Sequence, residues 1–228
     1  MTHGGFTQMI ATEGNQGLGC FYVRNPFAET DVNLIEGHVH NLISMYTNNR
    51  GSLKKNTVVE ERGQKLIFYF GFWDEVINKK KNERILRNDN VNLITDFKWL
   101  KTLCKNVLEK VRGIVPYSEF NQVEIIKYDK KAKFNTHQDP RNLFEDTIVS
   151  LRLFNSRHLL FGYNGKGFQM KKQGCSWKVK QERGQITVMS GYSSTHCKHG
   201  VKAESENYSV SIVFRRVKTK GIQKKNHR

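Results

Sequence analysis

Apolar residues along this chain change their spacing near the middle, and the change divides the sequence into two kinds of structure. Val32, Ile35, Val39, Leu42, Ile43 and Tyr46 recur every three or four positions, the stripe that an amphipathic helix turns toward a core. Thr30 or Asp31 stands where an N-cap belongs, and the stripe predicts about four turns. A second stripe runs through Phe97, Leu100, Leu103, Cys104, Val107, Leu108 and Val111, opened by Thr95 or Asp96 and closed by Gly113 and Pro116. Residues 19–23 predict a short strand ended by Asn25-Pro26, and residues 48–57 a polar loop. Residues 65–73 (KLIFYFGFW) are the most aromatic stretch and predict a strand, followed by a basic, solvated segment at 79–84.

After Phe120 the pattern shortens. Residues 123–128, 133–136, 147–154, 158–162, 167–171, 176–180, 185–190 and 208–215 each read as a strand bounded by turn residues. Eight short strands within about ninety residues describe a sandwich or jelly roll. Helices first and strands afterwards predict an α+β fold, with N-terminal helices packed on one face of the jelly-roll core. Residues 1–18, rich in Gly, Thr, Asn and Gln, are expected to be a flexible lead-in, and residues 217–228 a basic tail.

Composition narrows the setting. No run of eighteen apolar residues exists, so no membrane-spanning helix is expected. The N-terminal residues lack the basic-then-apolar layout of a secretory signal. Cys20, Cys104, Cys175 and Cys197 are scattered without a CxxC pair, which argues against a zinc ribbon or a disulfide framework. Reduced thiols in the cytoplasm or nucleus, and a monomer, are the expectation. Lys and Arg outnumber Asp and Glu by 38 to 21, a formal charge of +17. That excess favours a polyanionic partner, nucleic acid before a membrane surface.

The candidate chemistry begins at His137-Gln138-Asp139, at the end of a strand and before Pro140. In extended chain, residues two apart point to one side, so an imidazole nitrogen and a carboxylate oxygen can reach one ion. A further histidine comes from Thr195-His196-Cys197-Lys198-His199-Gly200, where either His196 or His199 is available. Two histidines and one carboxylate on one face of a metal favour Fe(II) and leave positions open for substrate and dioxygen. A zinc site using Cys197 with both histidines needs a fourth ligand, for which Cys175 is the nearby candidate.

With these motifs the sequence resembles the AlkB family of Fe(II)- and 2-oxoglutarate-dependent nucleic-acid demethylases over residues 65–216. Tyr128 followed nine residues later by the His-Gln-Asp motif, the strand at 148–151, the strand and turn at 183–192 and the last strand at 211–215 occur in the family's order. His137 to Pro140 followed by Leu143-Phe144-Glu145, then Leu160-Phe161-Gly162, Ser190-Gly191-Tyr192 and Thr195-His196-Cys197, look most like the branch that removes N6-methyl groups from adenosine in single-stranded RNA. The resemblance implies an oxygenase domain over 19–216 with a double-stranded β-helix core. Its metal and catalytic centre would be His137, Asp139 and His199, with His196 the alternative third ligand. It implies Fe(II) and 2-oxoglutarate as cofactors, the latter bound by Tyr128, Ser211 and Arg215. It also implies oxidative demethylation of N6-methyladenine or a similar base, with release of formaldehyde, in single-stranded RNA or DNA. Lys65, Tyr69, Phe72 and Trp73 fall where related enzymes carry a nucleotide-recognition lid.

Two positions depart from the family pattern. Ser209 stands where the last strand usually carries the first of two arginines, and Ile126 where an asparagine precedes the tyrosine. A dicarboxylate needs charged partners at both ends, so Arg152 or Arg157 on a neighbouring strand is the expected substitute. Two other functions compete: a 5-methylpyrimidine hydroxylase of the TET and base-J type, and a nucleic-acid-binding module with a degenerate oxygenase pocket.

Overall fold

The computed structural model describes residues 6–9, 20–23, 26–48, 59–61, 64–78, 83–88, 91–163, 176–203 and 208–218. In chain order they form β1 (Phe6–Met9), β2 (Cys20–Val23), α1 (Glu29–Asn48), β3 (Val59–Glu61), β4 (Lys65–Phe70), β5 (Trp73–Asn78) and β6 (Glu83–Arg87). There follow α2 (Lys98–Lys110), β7 (Gln122–Tyr128), β8 (Phe134–His137), β9 (Ile148–Leu153), β10 (Arg157–Tyr163) and β11 (Ser176–Gln181). The chain continues through β12 (Ile186–Met189), α3 (Tyr192–Thr195), β13 (Cys197–Val201) and β14 (Ser209–Arg215).

From β7 onward the chain passes back and forth between two antiparallel sheets. An eight-stranded sheet has the order β1-β2-β12-β9-β14-β7-β4-β3, and a four-stranded sheet the order β11-β10-β13-β8. This is the α+β architecture that the sequence predicts: a double-stranded β-helix with its helices on one face. Period-two alternation explains the two cores. Val210, Ile212 and Phe214 of β14 join Val39 and Leu42 of α1 and Leu103 and Val107 of α2 on the outer face of the large sheet. The intervening inward residues, among them Ile126, Tyr128, Ile148 and Met189, meet Leu159, Phe161 and Val201 of the small sheet. Being covered on both faces, β9 is buried along its whole length.

Several local expectations change. Residues 65–73 are not one strand: β4 stops at Gly71, whose φ of +82° suits glycine, and a Cβ there would overlap the Asn121 carbonyl oxygen. Trp73 instead opens a separate hairpin with β6, which takes up Glu83 and Arg84 from the segment expected to be solvated. The helix α2 starts at Lys98, after a single 3-10 turn at Ile94–Asp96, because the Asp96 carboxylate accepts the Leu93 backbone N–H at 2.9 Å. The strand β13 was not expected; its inward row is Cys197, His199 and Val201, too polar at its centre to read as a strand. Phe6–Met9 pairs with β2 inside the segment expected to be a lead-in. Val217 is buried and bridges Phe144, so the chain remains packed at the first residues of the expected basic tail. Residues 1–5, 49–58, 79–82, the expected strand at 167–171 and residues 219–228 lie outside the described residues.

One polar clamp fixes the helical layer to the jelly roll. Arg183, between β11 and β12, donates to Glu36 at 2.8 and 2.9 Å, to Glu29 at 2.6 Å and to Asn33 at 2.7 Å, all on α1. Glu36 also accepts the Phe154 backbone N–H at 2.5 Å. The clamp is partly exposed, so Arg183→Ala should cost about 1 kcal/mol. Thermal unfolding should show the midpoint lowered by about 2–4 °C.

Candidate metal centre and cleft

The site is built where the small sheet ends. His137 closes β8, and Asp139 follows two residues later. Across the ladder His199 of β13 is the register partner of His137, with ring centroids 4.6 Å apart. Gly200 permits this approach: a Cβ there would lie 2.6 Å from the Phe134 carbonyl oxygen and 2.9 Å from the Thr136 nitrogen. His137 Nε2 lies 3.4 Å from Asp139 Oδ1, and one ligand atom from each of His137, Asp139 and His199 lies within 4.8 Å of the others.

The hydrogen bonds around this trio suit a cation. His137 Nδ1 is 3.0 Å from the Asn135 carbonyl oxygen; an N–H there donates, and the Nε2 lone pair then faces Asp139. His199 Nδ1 is buried with no hydrogen-bond partner among the described residues. A buried imidazole nitrogen without a partner is costly unless an ion or proton meets it. Two imidazoles and one carboxylate, with no thiolate, are the donor set that non-haem Fe(II) takes.

Charge is arranged to match. Burial alone would raise the Asp139 pKa, but Arg215 and the neighbouring imidazoles hold it well below the usual carboxylate range. Arg215 Nε stands 3.0 Å from Asp139 Oδ2, and its Nη1 donates to Glu124. The contact with Asp139 is an ion pair rather than an aligned hydrogen bond. Burial pulls His199 down to about 4, opposed by Asp139 and assisted by His137 and Arg215. At neutral pH the site therefore presents a carboxylate and a neutral buried imidazole, both in ligating form.

Of the two late histidines the structure brings only His199 to this centre. His196 stacks on Tyr192 at 4.8 Å, and its Nδ1 meets Thr195 Oγ1 at 2.7 Å. Lys65 and Tyr69 line an 860 Å³ cleft with Phe134, His137, Asp139 and Arg215, and the Lys65 ammonium lies 4.1 Å from the centroid of the Phe134 ring. Phe72 and Trp73 are not among the lining residues. Phe72 packs on Leu86, Leu143, Phe144 and Val217, while Trp73 packs on the core between the sheets. Behind the metal centre a narrow cavity of about 50 Å³ runs between the sheets, lined by Tyr128, Ser150, Gln181, His199, Ser211 and Arg215. Tyr128 lies within 5.6 Å of the Arg152 guanidinium and 5.4 Å of the Arg157 guanidinium, and burial lifts its pKa to about 12. Sequence reasoning missed Glu124 and Gln181. Each is a buried polar residue on an otherwise apolar strand face, a signal visible only once register is known.

The sequence matches no protein-family profile. It is 27% identical over 136 residues to the mouse RNA demethylase ALKBH5, covering 59% of this chain and 33% of that protein. It is 30% identical over 112 residues to the Xenopus laevis RNA demethylase ALKBH5, covering 47% of this chain and 30% of that protein. The chain thus spans about a third of the length of these curated relatives. Among solved structures it superposes on OsALKBH1 with a TM-score of 0.58 and 14% identity, covering 89% of this chain and 99% of that one. A 2OG-Fe(II) oxygenase family oxidoreductase from Burkholderia pseudomallei superposes with a TM-score of 0.51 and 12% identity, covering 90% and 86%. The fold is that of the Fe(II)/2-oxoglutarate oxygenases. The sequence relatives matched over these 112 to 136 residues are named as RNA demethylases. The His–Asp–His trio offers the donor set of a non-haem Fe(II) site.

Proposed function

We propose that this protein is an Fe(II)/2-oxoglutarate-dependent dioxygenase that oxidatively removes methyl groups from N-methylated bases, N6-methyladenine or a similar one, in single-stranded nucleic acid, RNA before DNA. The observation that carries this reading is the trio of His137, Asp139 and His199, of which His137 and Asp139 line an 860 Å³ cleft whose walls also carry Lys65, Arg141 and Lys198. His137, Asp139 and His199 hold the metal. With Fe(II) held there, dioxygen would be the oxidant and 2-oxoglutarate the co-reductant, leaving as succinate and CO2, so that an N-methyl group becomes N-hydroxymethyl and departs as formaldehyde. Asn135 fixes the His137 tautomer through its carbonyl, and Arg215 restrains the second Asp139 oxygen. Lys65 over Phe134 offers a cation beside an aromatic face, which suits a phosphate next to an unstacked base.

A formal charge of +17 supports a polyanionic substrate and makes its binding salt-sensitive. Among the described residues no helix is long and apolar enough to cross a membrane; a monomer in the cytoplasm or nucleus is the reading we adopt. The test is aerobic incubation with Fe(II), 2-oxoglutarate and a panel of methylated single strands, followed by nucleoside mass spectrometry. Loss of the methyl group with formaldehyde supports demethylation. A retained hydroxymethyl pyrimidine would instead establish the 5-methylpyrimidine hydroxylase. Binding of RNA without succinate formation on any strand would establish a binding module.

Lys65 gives a narrower check. Lys65→Ala should weaken single-stranded RNA binding by about fivefold and lower the salt slope by about one. Fluorescence anisotropy across a salt series measures both, and an unchanged slope would remove Lys65 from the nucleic-acid surface.

A further inference from the structure

The small sheet turns Leu159, Phe161, Val179, Cys197 and Val201 inward, so the alternate positions of its strands form an outer face. His158 and Leu160 of β10, Lys178 and Lys180 of β11, and Lys198 of β13 stand on that face. Lys202, directly after β13, and Lys133, directly before β8, extend it. Val201 pairs with Phe134, so Lys202 and Lys133 stand opposite each other one step further along. The Lys202 backbone N–H donates to the His158 carbonyl oxygen at 2.9 Å, and His158 is the register partner of Lys180. One row across the sheet therefore reads Lys180, His158, Lys202, Lys133. Lys178 lies in the next row beside Leu160, and Lys198 in the row beyond, beside Gly162.

Lys133, Lys178 and Lys202 are exposed and Lys198 is half-buried. Lys180 has Glu182 at 2.8 Å, whereas the other four lysines make no ion pair among the described residues. No outward position of β10, β11 or β13 is acidic. Neighbouring strands lie about 4.8 Å apart, and like charges directly opposite each other repel. A polyanion laid across the rows removes that repulsion and releases its own counterions. The charge is placed rather than scattered, since α1, beyond the large sheet, carries Glu29, Asp31 and Glu36 and no Lys or Arg. Lys198 also lines the 860 Å³ cleft, as does Asn135 of β8, so the outer face and the cleft share an edge. Leu160 is half-buried and is the face's apolar side chain among the described residues. Such a surface suits phosphate contacts better than insertion into lipid, which needs a broad apolar face.

We infer that the outer face of the small sheet is a phosphate track for a single strand of nucleic acid, one base of which occupies the cleft. Lys198 stands at the junction, and Lys202, Lys133 and Lys178 lie beyond it. This rests on the nucleic-acid reading above and adds a path to it: the strand leaves the cleft over β13 and runs across the small sheet, away from the helices. Contacts of this kind hold a strand without reading its sequence. Affinity then grows with the length of the strand outside the cleft.

The experiment is fluorescence anisotropy of the full chain with two labelled single-stranded RNAs, of about 15 and about 4 nucleotides, across a salt series. The sheet variant K133Q/K178Q/K202Q leaves the lining of the cleft intact. The helix variant K98Q/K101Q/K105Q removes the same charge from exposed positions of α2. For the long strand in about 0.1 M salt, the sheet variant should lose about 10- to 100-fold in affinity and about two from the salt slope. It should bind the short strand as the wild type does, and the helix variant should keep the wild-type affinity for both. The substituted lysines are exposed and repel one another, so the thermal midpoint of the sheet variant should not fall, which separates lost binding from lost folding. Equal losses in the two variants, or none in the sheet variant, overturn the inference and leave the nucleic-acid reading standing. If wild-type protein binds neither RNA, the nucleic-acid reading fails and the track falls with it. Binding to vesicles of phosphatidylserine and phosphatidylcholine that the sheet variant loses, with RNA binding unchanged, overturns the inference in favour of a membrane surface.

Discussion

His199→Ala should lose more than about 100-fold in iron affinity, because removal of an outer partner of a metal ligand alone costs 10–100-fold. Turnover should fall to background with it. His196→Ala should keep both iron and turnover. The two residues are three positions apart, and the structure separates them by what surrounds each. His199 is inward on β13, buried, in register with His137 and missing a partner at Nδ1. His196 lies at the end of α3, held by Tyr192 and Thr195. Equilibrium dialysis with Fe(II) under anaerobic conditions, followed by metal analysis, reads the difference. Loss of iron from the His196 variant with retention in the His199 variant would reverse the assignment.

The second large effect is expected at a residue with no functional group. Gly200→Ala places a methyl group 2.6 Å from the Phe134 carbonyl oxygen and 2.9 Å from the Thr136 nitrogen, both backbone atoms of β8. Backbone cannot swing aside as a side chain can, so β13 and β8 must separate. Overpacking of this kind costs about 1–3 kcal/mol. The displacement falls between His199 and His137, which the register holds opposite each other. Thermal unfolding should register the stability loss, and iron content should fall in protein that remains folded. A variant with wild-type midpoint and full iron occupancy would show that β8 and β13 can part without disturbing the ligands.

How far the sequence discloses this protein depends on the range of the interaction concerned. The stripes of α1 and α2 were legible because a helix buries a face defined by near neighbours, and Val32, Ile35, Val39, Leu42 and Ile43 all lie inward as the spacing requires. His137 and Asp139 were legible for the same reason, being two positions apart in extended chain. The break at Gly71 was not, because the Asn121 carbonyl that makes glycine necessary is distant in sequence. The strand β13 was hidden because its inward positions serve a polar centre instead of a core. Glu124 and Gln181 read as ordinary polar residues until pairing placed one against Arg215 and the other against Arg152. Arg152 and Arg157 stood as equals in the sequence, and a census of hydrogen-bond acceptors separates them.

The strand β8 has one further consequence. It is four residues long, lies at the edge of the small sheet and has β13 as its sheet neighbour, through a ladder whose register slips between His199 and Val201. Such an edge frays more readily than a strand paired on both sides. An ion shared by His137 and His199 is a rivet through that ladder, and mass action makes strand closure and ion retention one equilibrium. Escape of the ion then requires only the local peeling of a short edge, with the rest of the jelly roll intact. In the proposed site, iron exchange would then be a property of four backbone residues as much as of three ligands.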